Sequence, residues 1–200
     1  NLQELLPENS VLLIPGAEIQ YRNSDSSFPF RQESNFYYLS GFCEPASLIA
    51  ITKKDNQITS LIFVPPKDKL KEIWDGYRAG PLGAVEDFLF DKAYDNTQID
   101  EILPDILFGS DIVLYPIGKK NGFDQKVIDW TSEASKKDRH SKSINISDAS
   151  SIIGNARLIK DDHEISLIKK ACSISADAHI EAMKSVKGGD SEQFIESMYI

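Results

Sequence analysis

The residues best suited to chemistry lie in one segment, 22–45, which combines turn-forming, charged and aromatic side chains. Within it, Arg31 and Gln32 directly follow a Phe-Pro-Phe run at 28–30. An arginine can bind a carboxylate through two N–H groups, and a glutamine can both donate and accept hydrogen bonds. Two interpretations stay open. Either the loop is fixed against a sheet edge, with its rings in the core and Arg31 on buried carbonyls, or it lines a functional cleft.

The three histidines and two cysteines do not form a pattern typical of a metal site or a catalytic triad. No C-x-x-C or H-x-x-x-H spacing is present. His179 lies on an apolar helical stripe and is predicted to be a hydrogen-bonded core histidine, whereas His140 and His163 are expected to be exposed. Cys43 and Cys172 lie in apolar settings, so we expect small buried thiols in a reducing compartment.

Composition and charge exclude several classes of protein. The 200 residues carry 22 basic and 31 acidic side chains, which gives a net charge of −9. Nucleic acid is not expected as a partner, because phosphate binding needs a basic surface and the basic residues cluster only at 67–71 and 136–140. No apolar run approaches the roughly 18 residues of a membrane helix, and the N-terminus lacks a signal-peptide pattern. We therefore expect a cytoplasmic protein with no membrane partner.

Strands and helices alternate over the first two-thirds of the chain. Short apolar or aromatic runs bounded by turn residues predict strands, and apolar spacings of three to four residues predict helices. Their alternation predicts an α/β fold, in which a layered domain holds a mixed β-sheet flanked by helices. The predicted strands are 11–15, 35–40, 47–53, 57–64, 91–94, 111–115 and 144–146, and the predicted helices are 97–108, 123–136 and a short one from a Gly-Pro-Leu-Gly turn at 80–83 to about residue 89.

A change of pattern after residue 156 predicts a second domain. Asp161 and Glu164 have capping-box spacing, which marks the start of a long helix. The glycine pair at 188–189 ends it, and Asp190 is expected to cap the next helix. Two helices alone cannot easily bury both apolar faces, so we expect the stripe of the long helix to be partly exposed. That stripe consists of Ile165, Ile168, Cys172, Ala176, His179 and Met183.

The segment 22–45 closely resembles the N-terminal domain of the aminopeptidase P family, the Xaa-Pro aminopeptidases. It carries the pattern R-Q-x-S-x-F-x-Y-x-x-G-F-x-E-P, which is far more specific than a single glycine motif. Three further stretches, at 72–78, 157–165 and 171–183, match the family in order. The resemblance therefore covers essentially the whole chain.

The resemblance implies a metallopeptidase that removes the N-terminal residue from peptides with proline in second position. It implies the family's N-terminal domain at 1–156 and, at 157–200, only the entry helices of an incomplete "pita-bread" catalytic domain of the creatinase type. In the family, that catalytic domain holds two divalent metal ions, usually Mn²⁺, whose bridging water attacks the peptide bond. Nothing in this sequence matches those metal ligands. We therefore assign no catalytic or metal-binding residue here and expect this chain alone to be inactive.

The resemblance also implies a role for the N-terminal domain in oligomerisation and in gating of the active site. The implied partners are proline-containing peptides and further copies of the chain, as a homodimer or homotetramer. Trp74 is the candidate anchor, with Asp25 and Arg31 as polar substrate-binding or gating candidates. Each has a structural alternative, which for Trp74 is an ordinary core or surface tryptophan and for Asp25 a turn cap.

Three functional alternatives stay open beside the leading one. A prolidase-type dipeptidase shares the fold and the Arg-Gln-x-Ser-x-Phe loop. A non-catalytic pita-bread-like module would bind proteins, and an acidic domain is compatible with basic partners. A free-standing domain that mediates assembly would follow if 200 residues were the natural length.

Overall fold

The computed structural model describes residues 2–138 and 142–199. They belong to two compact units, Asn1–Ala156 and Arg157–Ile200. The strands are β1 (Ser10–Pro15), β2 (Leu48–Lys54), β3 (Gln57–Val64), β4 (Lys92–Asp95), β5 (Ile112–Tyr115) and β6 (Asn145–Asp148). The helices are α1 (Leu2–Leu5), α2 (Ser34–Ser40), α3 (Lys69–Asp75), α4 (Gly80–Glu86), α5 (Ile99–Leu107), α6 (Phe123–Lys136), α7 (Ser150–Leu158), α8 (Asp162–Ser185) and α9 (Glu192–Glu196), with a short 3₁₀ turn at Asn96–Gln98.

The first unit is built on one six-stranded mixed sheet with the order β4-β3-β2-β1-β5-β6. Strand β2 is antiparallel to both of its neighbours, β1 and β3. The pairs β1–β5, β3–β4 and β5–β6 are parallel. The predicted α/β fold with a mixed sheet is thereby confirmed. Because five of the six strands run the same way, their carboxyl ends share one edge of the sheet.

Alternate residues of the central strands supply the core on the two faces of the sheet, as strand geometry requires. On one face, Leu12 and Ile14 of β1 pack in a cluster with Phe36 of α2 and Ile153 of α7. On the other, Val11 and Leu13 pack in a cluster that includes side chains of α5 and α6. Burying both faces explains why β1 is apolar at almost every position.

The turn composition of residues 53–57, between two strand-like runs, predicts a hairpin, and β2 and β3 are joined by one. Its two turn residues, Asp55 and Asn56, have φ angles of 51° and 59°. Positive φ at both positions is typical of a type I′ turn, whose twist matches that of the strands. The strands close on it with Lys54 paired to Gln57.

The predicted strand at 35–40 is wrong, because these residues form α2. The aromatic composition favours a strand locally. The Glu33 carboxylate instead accepts hydrogen bonds from the backbone N–H groups of Asn35 and Phe36, each at 2.8 Å. Gly41 ends the helix with φ 64°. Capping at both ends and the burial of Phe36 in the core outweigh the local preference.

Two further corrections concern the helices around residue 80. The Gly-Pro-Leu-Gly sequence at 80–83 lies within the first turn of α4 and does not precede it. Proline fits there because the first N–H groups of a helix have no partner within it. The charged residues at 67–71 are typical of a solvated surface turn, but the Asp68 side chain accepts from the N–H groups of Leu70 and Lys71 and begins α3 there.

The second unit contains the predicted capping box. The Asp161 carboxylate accepts from the Glu164 N–H, and the Glu164 carboxylate accepts from the Asp161 N–H, both at 2.8 Å. The stripe of α8 is largely exposed in this chain, as expected. The predicted cap of the following helix is wrong by one residue, because Ser191 and not Asp190 accepts from the Phe194 N–H.

Several single-residue expectations fail. Cys43 and Cys172 are both exposed rather than buried. His179 is not a core histidine, because it lies exposed on α8 with its Nδ1 atom 2.8 Å from the hydroxyl of Tyr199. His163 is exposed as predicted, whereas His140 lies outside the described residues. Among the described helices, none combines the length and the apolar character that a membrane span requires.

Candidate functional site

The candidate site lies at the edge of the sheet where β1, β3 and β5 end. The loop 16–33 follows β1, and the loop 116–122 follows β5. Because these two strands are neighbours, their loops come together over the end of the sheet. The Lys120 ammonium ties them, since it donates to the Gly16 carbonyl at 3.1 Å and to the Glu18 carboxylate at 2.8 Å.

Gln32 is the buried organiser of this edge. Its side-chain oxygen accepts from the Ala17 N–H at 2.7 Å. Its amide nitrogen donates to the carbonyls of Phe42 and Glu44, at 3.3 and 2.9 Å. The Gln32 side chain, just before α2, therefore links the end of β1 to the residues that follow α2. This agrees with the interpretation in which hydrogen bonds fix the loop against the sheet.

Arg31 behaves differently from its neighbour. It is exposed, and its guanidinium donates to the Ser34 hydroxyl at 3.3 Å. The interpretation in which Arg31 satisfies buried carbonyls is therefore wrong. The side chain instead lines a cleft of about 1160 Å³ at this edge of the sheet.

Asp25 lies at the tip of the loop that precedes Arg31. Its turn is held by the Asn23 side chain, which accepts from the N–H groups of Asp25 and Ser26, each at 2.9 Å. The guanidinium of Arg22 lies 4.8 Å from the ring centre of Phe28 and closes the base of the loop. The Asp25 side chain is thus not the turn cap, and it is exposed.

Trp74 lies on α3, which follows β3 at the same edge of the sheet. Its side chain is 88% exposed, and Leu70, Ile73 and Tyr77 beside it are exposed as well. We call these four residues the α3 apolar surface. Asp68 caps the start of the helix, and the Lys67 ammonium packs 4.7 Å from the ring centre of Tyr77. Of the three predicted site residues, Arg31 lines the cleft, and Trp74 and Asp25 are not among its lining residues.

Glu44 fixes the chain just after the α3 apolar surface. One of its carboxylate oxygens accepts from the Ala79 N–H at 2.6 Å. The other is buried and has no hydrogen-bond partner among the described residues. Burial raises the pKa of this carboxyl above its ordinary value, an effect opposed by the Ala79 N–H and by the charge of Arg78. Sequence reasoning missed this role, although the Glu-Pro step that ends the 22–45 motif marks the residue.

The cleft also contains residues that the sequence did not single out. Lys119 and Lys120 lie on its β5 side, and aromatic and proline side chains face them from the loop after β1. No local pattern marks this pair, because the contact of Lys120 with Gly16 joins residues 104 positions apart.

The described residues do not fit a metal centre. No group of three or more His, Cys, Asp or Glu side chains within 2–138 and 142–199 comes close enough to hold a metal ion. We therefore assign metal chemistry to none of these described residues.

Comparison with known proteins decides the family. The sequence model of the family described as "Aminopeptidase P, N-terminal domain" matches residues 1–115. The chain belongs to the aminopeptidase P N-terminal domain family. Its aminopeptidase P relatives include the Xaa-Pro aminopeptidase of Haemophilus influenzae, which is 32% identical over 197 residues, 97% of this chain and 43% of the relative. That of Escherichia coli is 29% identical over 198 residues, 98% of this chain and 45% of the relative.

Solved aminopeptidase P structures share the fold. The low-pH form of the E. coli enzyme superposes with a TM-score of 0.92 at 30% identity, covering 98% of this chain and 46% of that chain. Aminopeptidase PepP of Pseudomonas aeruginosa gives 0.90 at 31% identity, covering 98% of this chain and 45% of that chain. Another similar structure is a Zn-substituted E. coli aminopeptidase P in complex with product. The chain thus spans less than half the length of the relatives it matches.

Proposed function

We propose that this chain is the leading part of an Xaa-Pro aminopeptidase, which removes the N-terminal residue from peptides with proline in second position. The family membership and the names of its relatives support this function. These names favour a peptidase over the alternative of a non-catalytic binding module.

The two divalent metal ions of the proposed enzyme, with Mn²⁺ the expected metal, are assigned outside residues 1–200. The absence of a three-ligand group among the described residues is compatible with this assignment. When bound, such ions supply a nucleophilic hydroxide and polarise the scissile carbonyl. The residues described here act in binding and assembly only.

We assign oligomerisation and active-site gating to the first unit, and the α3 apolar surface is the observation that carries this role. A tryptophan side chain presents roughly 200 Å². At about 25 cal/mol per Å², burying the exposed part of this side chain would contribute about 4 kcal/mol of favourable free energy, as an upper estimate. Three further exposed apolar side chains lie beside Trp74. A contiguous surface of this kind is typical of a protein interface, with an aromatic residue as its anchor.

Asp25 and Arg31 complete the proposed gate. Both are exposed polar side chains at the edge of the sheet that also bears α3. The Asp25 carboxylate can pair with the free amino group of a peptide, and the Arg31 guanidinium can pair with its carboxylates. The two side chains can therefore select short or extended substrates. Neither is engaged in an internal ion pair in the described part of the chain, which leaves them available to a partner.

The test uses the full-length protein and the variant Trp74→Ala. We expect a lower oligomer mass by light scattering, or a fall in turnover of an Xaa-Pro tripeptide of roughly tenfold. In the 200-residue chain, where Trp74 is exposed, the free energy of unfolding should stay within about 0.5 kcal/mol of the parent, because an exposed side chain contributes little to stability. Phe108→Ala is the matched control, since this partly exposed aromatic follows α5 and precedes β5 at the opposite edge of the sheet.

The outcomes separate the alternatives. Unchanged oligomer mass and unchanged kinetics in Trp74→Ala would remove this residue from the site. Cleavage of Xaa-Pro dipeptides without cleavage of tripeptides would favour the prolidase alternative. No cleavage of either by metal-loaded full-length protein would favour a binding module.

A further inference from the structure

The cleft lies where two neighbouring strands send the chain to opposite faces of the sheet. After β1 the chain leads to α2, whose Phe36 packs in the cluster that contains Leu12 and Ile14. After β5 it leads to α6, whose Val127 and Trp130 pack in the cluster on the other face. Parallel strands with diverging connections leave a crevice beyond their carboxyl ends, which is the usual place for a ligand in α/β proteins. The topology therefore marks this cleft as a binding site.

Most of the charges in the cleft are matched internally. The Lys120 ammonium is neutralised by the Glu18 carboxylate at 2.8 Å. The Glu33 carboxylate is committed to the first N–H groups of α2. Arg31 and Lys119 remain, both exposed on the cleft wall. In a chain with a net charge of −9, two cations in one concave site are a local exception.

Neither of these two cations is fully engaged by its neighbours. Arg31 makes a 3.3 Å hydrogen bond to the neutral Ser34 hydroxyl. Lys119 lies near Asp148 and helps to lower the pKa of that carboxyl, but Asp148 already accepts from the Ile117 N–H and from Ser150. A guanidinium and an ammonium facing one cleft are suited to receive a carboxylate.

The remaining surface of the cleft suits an extended peptide. A volume of about 1160 Å³ exceeds the 300–1000 Å³ typical of small-molecule pockets, and the cleft is open to solvent. Apolar rings contribute much of its wall. They are Pro15, Phe28, Pro29, Phe30 and Pro116.

We propose that this cleft binds an extended peptide segment through an acidic side chain, whose carboxylate is received by Arg31 and Lys119. The proposal rests on the proposed function for the origin of that peptide, which is the part of a substrate that follows the Xaa-Pro bond. The cleft would then give the enzyme a preference for substrates with an acidic residue downstream of the proline.

Binding to the 200-residue chain tests this site without any turnover. The probes are amidated heptapeptides that begin Ala-Pro and carry one Glu at the fourth, fifth or sixth position, each with a Gln counterpart. By calorimetric titration we expect one Glu peptide to bind about three- to fivefold more tightly than its Gln counterpart, as for an exposed ion pair. Lys119→Glu should abolish that difference. Lys54→Glu, an exposed lysine at the opposite end of the sheet, should preserve it.

Three results would overturn the proposal. The first is equal binding of the Glu and Gln peptides at every position. The second is an unchanged difference in Lys119→Glu. The third is a Gln peptide with a free C-terminus that binds as tightly as the best Glu peptide, which would assign the carboxylate to the peptide terminus. Equal cleavage of the Glu and Gln heptapeptides by the full-length protein would likewise overturn this site, while leaving the proposed function intact.

Discussion

Replacing Glu44 tests how the α3 apolar surface is held in place. In Glu44→Ala the Ala79 N–H loses its acceptor, which lies at 2.6 Å. A hydrogen bond to a charged group contributes about 1.5–3 kcal/mol, so we expect a loss of about 2 kcal/mol. For a domain of this size that corresponds to about 4–8 °C in the melting temperature. In Glu44→Gln the amide oxygen still accepts from Ala79, and stability should stay within about 1 kcal/mol of the parent.

The pH dependence follows from the direction of the Glu44 pKa. Burial raises this pKa in the folded chain above its unfolded value. The folded state then binds the proton more readily, so protonation of Glu44 stabilises the fold as the pH falls through the raised pKa. Above that pKa the buried charge of Glu44 destabilises the folded parent, whereas the neutral amide of Glu44→Gln does not have this effect. We therefore expect the stability of Glu44→Gln to gain on that of the parent as the pH rises above 4.5, the ordinary pKa of a glutamate.

Tryptophan fluorescence during urea unfolding is a suitable assay, because both tryptophans, Trp74 and Trp130, lie in the first unit. The control pair is Glu86→Ala and Glu86→Gln, which change an exposed glutamate of α4. The free energy of unfolding of both variants should be within about 0.5 kcal/mol of that of the parent. Equal stability of Glu44→Ala and the parent at pH 7, or a Gln variant as unstable as the Ala variant, would refute the role given to this carboxylate.

Three further predictions concern other parts of the chain. Asp91→Asn should cost about 0.5–1 kcal/mol at pH 7, because hydrogen bonds from Ser60 lower the pKa of this carboxyl. In urea unfolding that loss should shrink as the pH falls below 3.8, the ordinary pKa of an aspartate, since stability from a lowered pKa is present above the unfolded value and is lost as the pH falls through the folded pKa. Asp161→Ala should lower the protection of α8 amides against hydrogen exchange by about 1 kcal/mol, whereas Asp177→Ala, in the middle of the same helix, should not. The 200-residue chain should not cleave an Xaa-Pro tripeptide with Mn²⁺, and turnover by a pure preparation would contradict the assignment of the metal centre elsewhere.

The sequence alone determined those features that depend on neighbouring residues. Alternating and continuous apolar runs predicted β1, β2, β3 and β5, because a strand buried on both faces must be apolar along its length. The turn at 55–56 and the Asp161–Glu164 capping box followed from side chains that act within four residues. The family resemblance of 22–45 likewise depends on one contiguous motif, so residues close together in the chain are sufficient to indicate the family.

Only the tertiary structure decided the features that depend on distant residues. Helix α2 overrides its strand-like composition because its Phe36 enters the core. Glu44 meets Ala79 across 35 positions of sequence, and Lys120 meets Gly16 across 104. The exposure of Trp74 and the walls of the cleft arise in the same way. A local pattern fixes backbone preference and capping, whereas burial and charge pairing depend on which segments the sheet order brings together.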